Sequence, residues 1–591
     1  MRSTFPTIYR AFSGYRLHLA LLVVLGFLSG ILEGIGISAV IPLFSFLVGG
    51  GPGDDVLSRA VEGLFSYLPF ALSTGSLLVF ILALFVARAA ILVLFNYFRA
   101  RVSTSYLIRM MNELLERTLH AQWGYLLTQR LGYAEVTLTR DVRQGSALLE
   151  ALSQGVLVVT SLLIYGALAI TISLPVTLAA ALVGLLILLL LQPVRRGVQR
   201  VATRAALTEK AIAYFVNEHV LGMKTVKSAG TERAVFEKGV RLFEDFKHIL
   251  VRSTLVQSLG TASVQPLSLA FICGVFVYFQ QTGPLSLGAL IALIYLIQKI
   301  FTYIEAGQSA LHSISEKVPY VENTLAFREL LMRHEEHRSG QKPFEFSRDI
   351  VFRGVSFSYD PASDTPTVSN LGFRLGRGEM IGLVGPSGSG KTTVADLLLR
   401  LFVPQEGSIK VDDVPVEELS LAQWRGKVGY VSQDMFLLND TIRNNILFYD
   451  TDISQDEVLA AAQTANCMEF IDALPQGLDT PVGERGLLLS AGQRQRIILA
   501  RVLARRPDLL ILDEATSALD NESERLIQEA IERLRGGVTI VVIAHRLTTV
   551  LRADRLLVLE RGRLVEEGAP QELLADEHSR FYRAFHGSQE L

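Results

Sequence analysis

A single change of texture divides this chain. Up to about residue 310, long uncharged apolar stretches alternate with arginine-rich segments of helical periodicity, and beyond it apolar and charged residues interleave as in a water-soluble domain. Residues 151–194 contain no Asp, Glu, Lys or Arg, and only Ser173-Leu174-Pro175 interrupts the run near its middle. As helix, this stretch is about 66 Å long, enough for two crossings of a hydrocarbon core about 30 Å thick, so it predicts a hairpin of two membrane helices. Residues 253–298 repeat the pattern, with Gln280-Gln281-Thr282-Gly283-Pro284 as the turn. Leu17 to Val48, interrupted by Glu33, and Leu72 to Phe98, interrupted by Arg88, add two more spans. Six spans put both termini on one side of the membrane.

Basic residues orient the bundle. Arg2, Arg10 and Arg16 precede the first span, Arg99, Arg101, Arg109 and Arg117 follow the second, and Arg195, Arg196, Arg200 and Arg204 follow the fourth. The positive-inside bias makes these segments cytoplasmic. Segments 99–146 and 195–252 are too long for simple loops and keep a helical period, which predicts that the membrane helices continue into the cytosol. The first apolar stretch is too long for a cleaved leader and lacks a clear small-residue cleavage site after it. Crowded charge at Arg328 to Lys342 marks the passage to the soluble texture. The expected architecture is multidomain. An all-α polytopic membrane domain of six long helices occupies 1–325, a linker 326–345, and an α/β P-loop nucleotide-binding domain 346–591.

Composition agrees with this division. Half of the 591 residues are hydrophobic and 19% are charged, below the roughly 25% usual in soluble domains. The 56 basic and 58 acidic side chains leave a net charge of −2, no surplus that would draw nucleic acid as a partner. Cys273 and Cys467 lie far apart and match neither a disulfide framework nor a zinc spacing.

The soluble half carries the chemistry. Met380 to Val384 is a short apolar strand running into Gly385-Pro386-Ser387-Gly388-Ser389-Gly390-Lys391-Thr392, with helical residues from Thr393 to Leu401. Strand, glycine loop and helix in this order form a phosphate cradle. Glycines turn backbone N–H groups and the helix N-terminus toward the phosphates, Lys391 reaches the β and γ oxygens, and Thr392 offers a hydroxyl to Mg²⁺. Leu509 to Leu512 is a buried parallel strand that delivers Asp513 and Glu514 to its C-terminal edge. Asp513 suits the Mg²⁺ shell, and Glu514 is set to orient a water and take its proton.

Twenty residues upstream of that strand, Leu489-Ser490-Ala491-Gly492-Gln493 resembles the signature motif of ATP-binding cassette (ABC) transporters. Tyr359 is similar to the family's adenine-stacking aromatic. Gln433, in Tyr-Val-Ser-Gln-Asp, is similar to the glutamine that approaches the metal and links nucleotide to membrane domain. Ser517-Ala518-Leu519-Asp520 resembles the loop that crosses the dimer interface, and His545 the histidine on the γ-phosphate. Six spans fused to one such cassette resemble half of an ABC exporter. The resemblance implies ATP and Mg²⁺ as cofactors, with Glu514, His545 and Gln433 in catalysis and Thr392, Gln433 and Asp513 around the metal. The ATP contacts it implies are Tyr359, the 385–392 loop, Thr393, Ser490, Ala491, Gly492, Gln493 and Asp520. It implies an integral protein of the bacterial inner membrane, with termini and cassette cytoplasmic, and alternating access driven by cassette closure. Each site needs a second copy, because Ser490 opens a helix whose N-terminus suits the partner's ATP. A homodimer is expected, and a heterodimer meets the same pattern. Glu484 would lie near the coupling contacts. At Ala491 the family has glycine; if the position requires positive φ, the methyl group carries strain.

For the cargo, the clues are the charges inside the spans. Arg88, Lys299 and the single acid Glu33 would each be costly against lipid, so they either line an interior cavity or pair with one another. A net positive cavity suits an anionic head group. Glu33-Gly34-Ile35-Gly36-Ile37-Ser38, Arg88 and the periodic external segment Val56 to Phe70 resemble flippases of lipid-linked oligosaccharides and glycolipid exporters; that segment also reads as an amphipathic helix on the membrane surface. The expected activity is ATP-driven export of an anionic lipid-linked substrate. A drug, toxin or peptide exporter, and an ATP-gated channel or sensor, are the alternatives.

Overall fold

The computed structural model describes residues 4–47, 56–66, 73–129, 132–190, 192–282, 287–336, 340–360, 365–513, 520–543 and 550–587. The chain forms two compact units, one of residues 1–121 with 125–335 and the other of 122–124 with 336–591.

The first unit is built of helices, with an isolated β-bridge between Ala121 and Glu335. It opens with α1 (Thr4–Phe12), α2 (Arg16–Ser38) and α3 (Val40–Leu47), followed by the short α4 (Val56–Phe65) and the 46-residue α5 (Thr74–Leu119). The short α6 (Trp123–Thr128) and α7 (Tyr133–Val136) lead through a π-turn at Thr137–Asp141 into α8 (Val142–Ile172), and Ser173 separates α8 from α9 (Leu174–Leu190). Then come α10 (Gln192–Leu221), α11 (Met223–Ser228), α12 (Glu232–Ala262), α13 (Val264–Thr282) and the 47-residue α14 (Leu287–Arg333). Five helical rods among the described residues are long and apolar enough to cross a membrane, and α9, with 17 residues, is the shorter apolar sixth. At 1.5 Å per residue α5 and α14 are about 70 Å long, twice a hydrocarbon core, so each continues well past it.

Small residues let α2 lie close to α8. Gly26, Gly30 and Gly34 are four apart, and a Cβ on each would meet Thr160, Ile164 and Leu168 of α8 at 2.5–2.8 Å. This is the packing that small residues permit between membrane helices. The external helix ends at Phe65, and its Val61 and Phe65 are buried with Ala39 and Leu77. These two side chains pack it on protein.

Where a linker was expected, at 326–345, α14 continues as helix to Arg333. Phe327 and Leu331, four residues apart, are buried with Val318, Val321 and Leu114, and Arg328 pairs with Glu113 at 2.6 Å. The crowded charge there is the polar face of an amphipathic helix.

The second unit has two sheets. The antiparallel one runs β2 (Val368–Gly376), β1 (Asp349–Phe357), β4 (Glu406–Val411) and β5 (Val414–Pro415). The larger one runs β10 (Arg563–Gly568), β9 (Arg555–Glu560), β3 (Met380–Val384), β8 (Thr539–Ile543), β7 (Leu509–Asp513) and β6 (Val428–Val431), parallel except for β10. Every residue of β3, β7 and β8 is buried, as in a parallel sheet covered on both faces. One face, with Leu383, Ile511 and Val541, packs on α15 (Lys391–Leu398) and the antiparallel sheet. The other, with Leu510, Leu512 and Val542, packs on α17 (Ile442–Leu447), α18 (Gln455–Thr464), α20 (Ala491–Leu503) and α21 (Asn521–Leu534); α16 (Leu421–Lys427) and α19 (Met468–Asp472) complete the unit. Each buried Leu, Ile or Val contributes about 1.5–3 kcal/mol over an exposed one. Both cysteines are free thiols, and burial pushes Cys467 up to about 12.

Candidate nucleotide and membrane sites

The phosphate loop has the backbone that only glycine tolerates. Gly385, Gly388 and Gly390 have φ of +156°, +76° and +101°. A Cβ on Gly385 would run into the Leu559 carbonyl, and one on Gly390 would come within 2.6 Å of Val368. The loop turns directly into α15, whose first residue is Lys391. Lys391 is 6% exposed, and its Nζ donates to the Gly385 and Pro386 carbonyls at 2.8 and 2.9 Å. Ser389 is buried, and among the described residues its Oγ has no hydrogen-bond partner. A buried hydroxyl left so costs about 1–3 kcal/mol, which a phosphate oxygen would recover.

The strand order β3–β8–β7–β6 lines up the remaining groups along the carboxyl ends of the parallel strands, where ligands of such sheets bind. Thr392 is exposed on the first turn of α15. Asp513, 5% exposed, ends β7, and Gln433 is exposed just past β6. Hydroxyl, carboxylate and amide oxygens fit Mg²⁺, which takes one or two carboxylates together with substrate phosphates. Among the described residues no group of three or more His, Cys, Asp or Glu forms an all-protein cage. The Tyr430 hydroxyl donates to Asp513 Oδ2 at 3.3 Å, and burial first, then the Asp513 charge, keeps that phenol protonated.

Tyr359 is 45% exposed and stands edge-on to Phe357 and Phe402, both at 5.1 Å. Its hydroxyl donates to Asp396 Oδ2 at 2.7 Å and lies 3.2 Å from Thr393 Oγ1. Burial raises the Asp396 carboxyl above its usual range, against the opposing effect of that bond.

The signature residues form a second group. Ser490 caps α20: its hydroxyl accepts from Gln493 N at 3.2 Å and its own N–H donates to Gln493 Oε1 at 2.9 Å, the reciprocal capping box. Ala491 is the first helical residue and is not at positive φ. The strain that its methyl would carry in a left-handed conformation is therefore absent. Gly492 is the position without room, because a Cβ there would overlap Ser523 of α21. Asp520 caps α21 by accepting from Ser523 N at 3.2 Å, and the Ser523 contacts hold its carboxyl below the usual range. Since α15 and α20 pack on opposite faces of the sheet, one chain brings together 385–393, 433 and 513, and separately 490–493 and 520. Glu514, Ser517, Ala518, Leu519 and His545 lie outside the described residues; the strands before Glu514 and Ala544 end side by side, with Asp513 opposite Ile543. Glu484 is exposed and accepts from Asn439 at 3.1 Å.

In the membrane unit, Glu33 of α2, Arg88 of α5 and Lys299 of α14 meet. Glu33 is 1% exposed, with Arg88 at 2.6 Å and Lys299 at 3.3 Å, and Tyr165 of α8 donates to its carboxylate. The charges do pair with one another, and one acid against two bases leaves one positive charge over. Sequence reasoning missed Tyr165, which lies inside an uncharged run with no signal, and Tyr430 and Asp396, for which strand alternation and helix spacing were the available hints.

Comparison with known proteins agrees with this geometry. Residues 19–304 match the ABC transporter transmembrane region and residues 368–517 the ABC transporter family. An ATP-dependent lipid A-core flippase of Burkholderia orbicola is 37% identical over 408 residues, 68% of this chain and 67% of its own. The heterocyst differentiation ATP-binding protein HepA of Nostoc is 30% identical over 496 residues, 81% of this chain and 79% of its own. The solved structure of a bacterial Atm1-family ABC exporter with ATP bound superimposes with a TM-score of 0.79 at 25% identity, covering 98% of both chains. With a helical membrane unit joined to a cassette built for ATP, the chain belongs to the ABC transporters, as an integral membrane protein whose ATP hydrolysis is coupled to transport.

Proposed function

We propose that two copies of this chain form an ATP-driven flippase or exporter, in a bacterial inner membrane, for an amphipathic substrate with an anionic, lipid-linked head group. The observation that carries this reading is the Glu33–Arg88–Lys299 cluster of the membrane unit, in which Glu33 is buried, Arg88 and Lys299 are half-buried, and one positive charge is in surplus. An ion so placed costs about 2.5–3.5 kcal/mol on insertion scales, and an anionic group would offset it. The lipid A-core flippases among the relatives act on a substrate named as a lipid.

In the nucleotide site Lys391 and the loop amides bind the phosphates and Tyr359 stacks on the adenine. Glu514 takes the proton of the attacking water as the β–γ phosphoanhydride breaks, while Gln433 and His545 hold the water and the γ-phosphate. Thr392, Asp513 and Gln433 would hold Mg²⁺, which would supply neutralising charge on the phosphates. The second copy's α20 N-terminus, with Ser490 and Gly492, closes each site, and hydrolysis resets the pair. The test uses proteoliposomes and a fluorescent, phosphate-bearing glycolipid. ATP-dependent movement of the label is expected, and Arg88→Ala should abolish stimulation of hydrolysis by that lipid. Stimulation that survives Arg88→Ala counts against an anionic cargo and for a drug or peptide exporter, and label movement that does not need ATP points to a gated pore.

A further inference from the structure

Tyr430 is not among the residues that the nucleotide-site motifs assign, yet the sheet aims it at that site. Parallel pairing sets Tyr430 of β6 opposite Ile511 of β7. Side chains alternate along a strand, so Asp513, two residues beyond Ile511, shares the face on which Tyr430 stands. That face packs on α15, the helix that begins with Lys391 and Thr392. The outcome is the 3.3 Å hydrogen bond from the phenol to Asp513 Oδ2. β6 is also the edge strand and runs straight into Ser432 and Gln433. The donor to Asp513 and the amide of Gln433 are thus carried by one short strand and its first loop residues.

A carboxylate at a strand end turns easily, because the last torsion of Asp is broad. A ligand to Mg²⁺ must present one oxygen in near-ideal octahedral geometry. Outer partners that hydrogen-bond a ligating carboxylate supply that orientation. Tyr430 meets the requirement from a rigid position, with two side-chain torsions and a ring half-buried against the sheet. We infer that Tyr430 is a positioning residue for metal binding: its hydroxyl holds Asp513 Oδ2 and so fixes the carboxylate in the orientation it offers to Mg²⁺. The inference rests on the reading of Asp513 as a Mg²⁺ ligand.

The test uses the full chain in detergent, with Mn²⁺ as the probe, read by electron paramagnetic resonance in the presence of a non-hydrolysable ATP analogue. Tyr430→Phe removes the hydroxyl and keeps the ring. It should weaken Mn²⁺ binding about tenfold, leave nucleotide affinity in EDTA unchanged and leave the thermal midpoint unchanged. Asp513→Asn should weaken Mn²⁺ binding as well, and the double variant should bind no more weakly than Asp513→Asn alone, because one side chain acts through the other. The inference is overturned by unchanged Mn²⁺ affinity in Tyr430→Phe. It is equally overturned by a matching loss of metal-free nucleotide affinity, or by losses that add in the double variant. Full Mn²⁺ affinity in Asp513→Asn overturns the reading of Asp513 itself, and this inference with it.

Discussion

The cassette unit and the membrane unit handle charge in contrasting ways. In the cassette, Lys391 and Thr392 open α15, Asp513 ends β7 and Gln433 follows β6, so neighbouring elements deliver them around one sheet edge. Carbonyls of the glycine loop take up the Lys391 ammonium. In the membrane unit the charges turn on each other, and Glu33 gathers one cation from α5, one from α14 and a phenol from α8. Near water, backbone groups can balance a charge that must be offered to a ligand. Among hydrocarbon, charges have to pair first, and only their surplus can be offered.

The largest effect expected bears on the cassette side. Glu514→Gln should cut phosphate release by at least about hundredfold while nucleotide-binding titrations stay normal, the range expected for loss of a general base. Turnover near that of the unmodified protein would remove Glu514 from that role.

On the membrane side, Glu33→Gln strips the countercharge from Arg88 and Lys299. Breaking a buried pair in this way costs about 3–5 kcal/mol, to be read as a lowered thermal midpoint of the solubilised protein. Adding Arg88→Gln to that variant should restore part of the loss, since one of the two uncompensated cations is then gone. An unchanged midpoint in the single variant would dissolve the contrast between the two units.

The smallest effect concerns the signature helix. Gly492→Ala forces a methyl against Ser523, an overpacking worth about 1–3 kcal/mol, visible as a modest fall in the thermal midpoint. Ala491→Gly relieves no strain and should leave hydrolysis as it is.

Much of the cassette was legible because its chemistry is contiguous. Gly385 to Thr392 and Leu489 to Gln493 fold as local units, glycine geometry and helix capping acting within a few residues. The uncharged hairpins were equally legible, since a span needs only length and apolarity, and the interruption does fall where expected, with Ser173 separating α8 from α9. Within 326–345, where the boundary between the two units falls, the helix to Arg333 was not legible, because high charge hides that Phe327 and Leu331 face a core that other helices supply. The sequence left open whether Ala491 carries strain, since its φ depends on where α20 begins, which the Ser490 cap sets.

By itself, the sequence determined the spans, the sheet-and-loop cradle for phosphates and the identities of the charged residues, because these follow from periodicity and local backbone sterics. Only the tertiary structure decided that Glu33, Arg88, Lys299 and Tyr165 share one cluster, that Tyr430 reaches Asp513, and that the phosphate loop and Ser490 of one chain lie on different faces of a sheet. Such meetings depend on how helices and strands far apart in the chain pack and register, and a linear pattern of residues does not encode that separately from the fold.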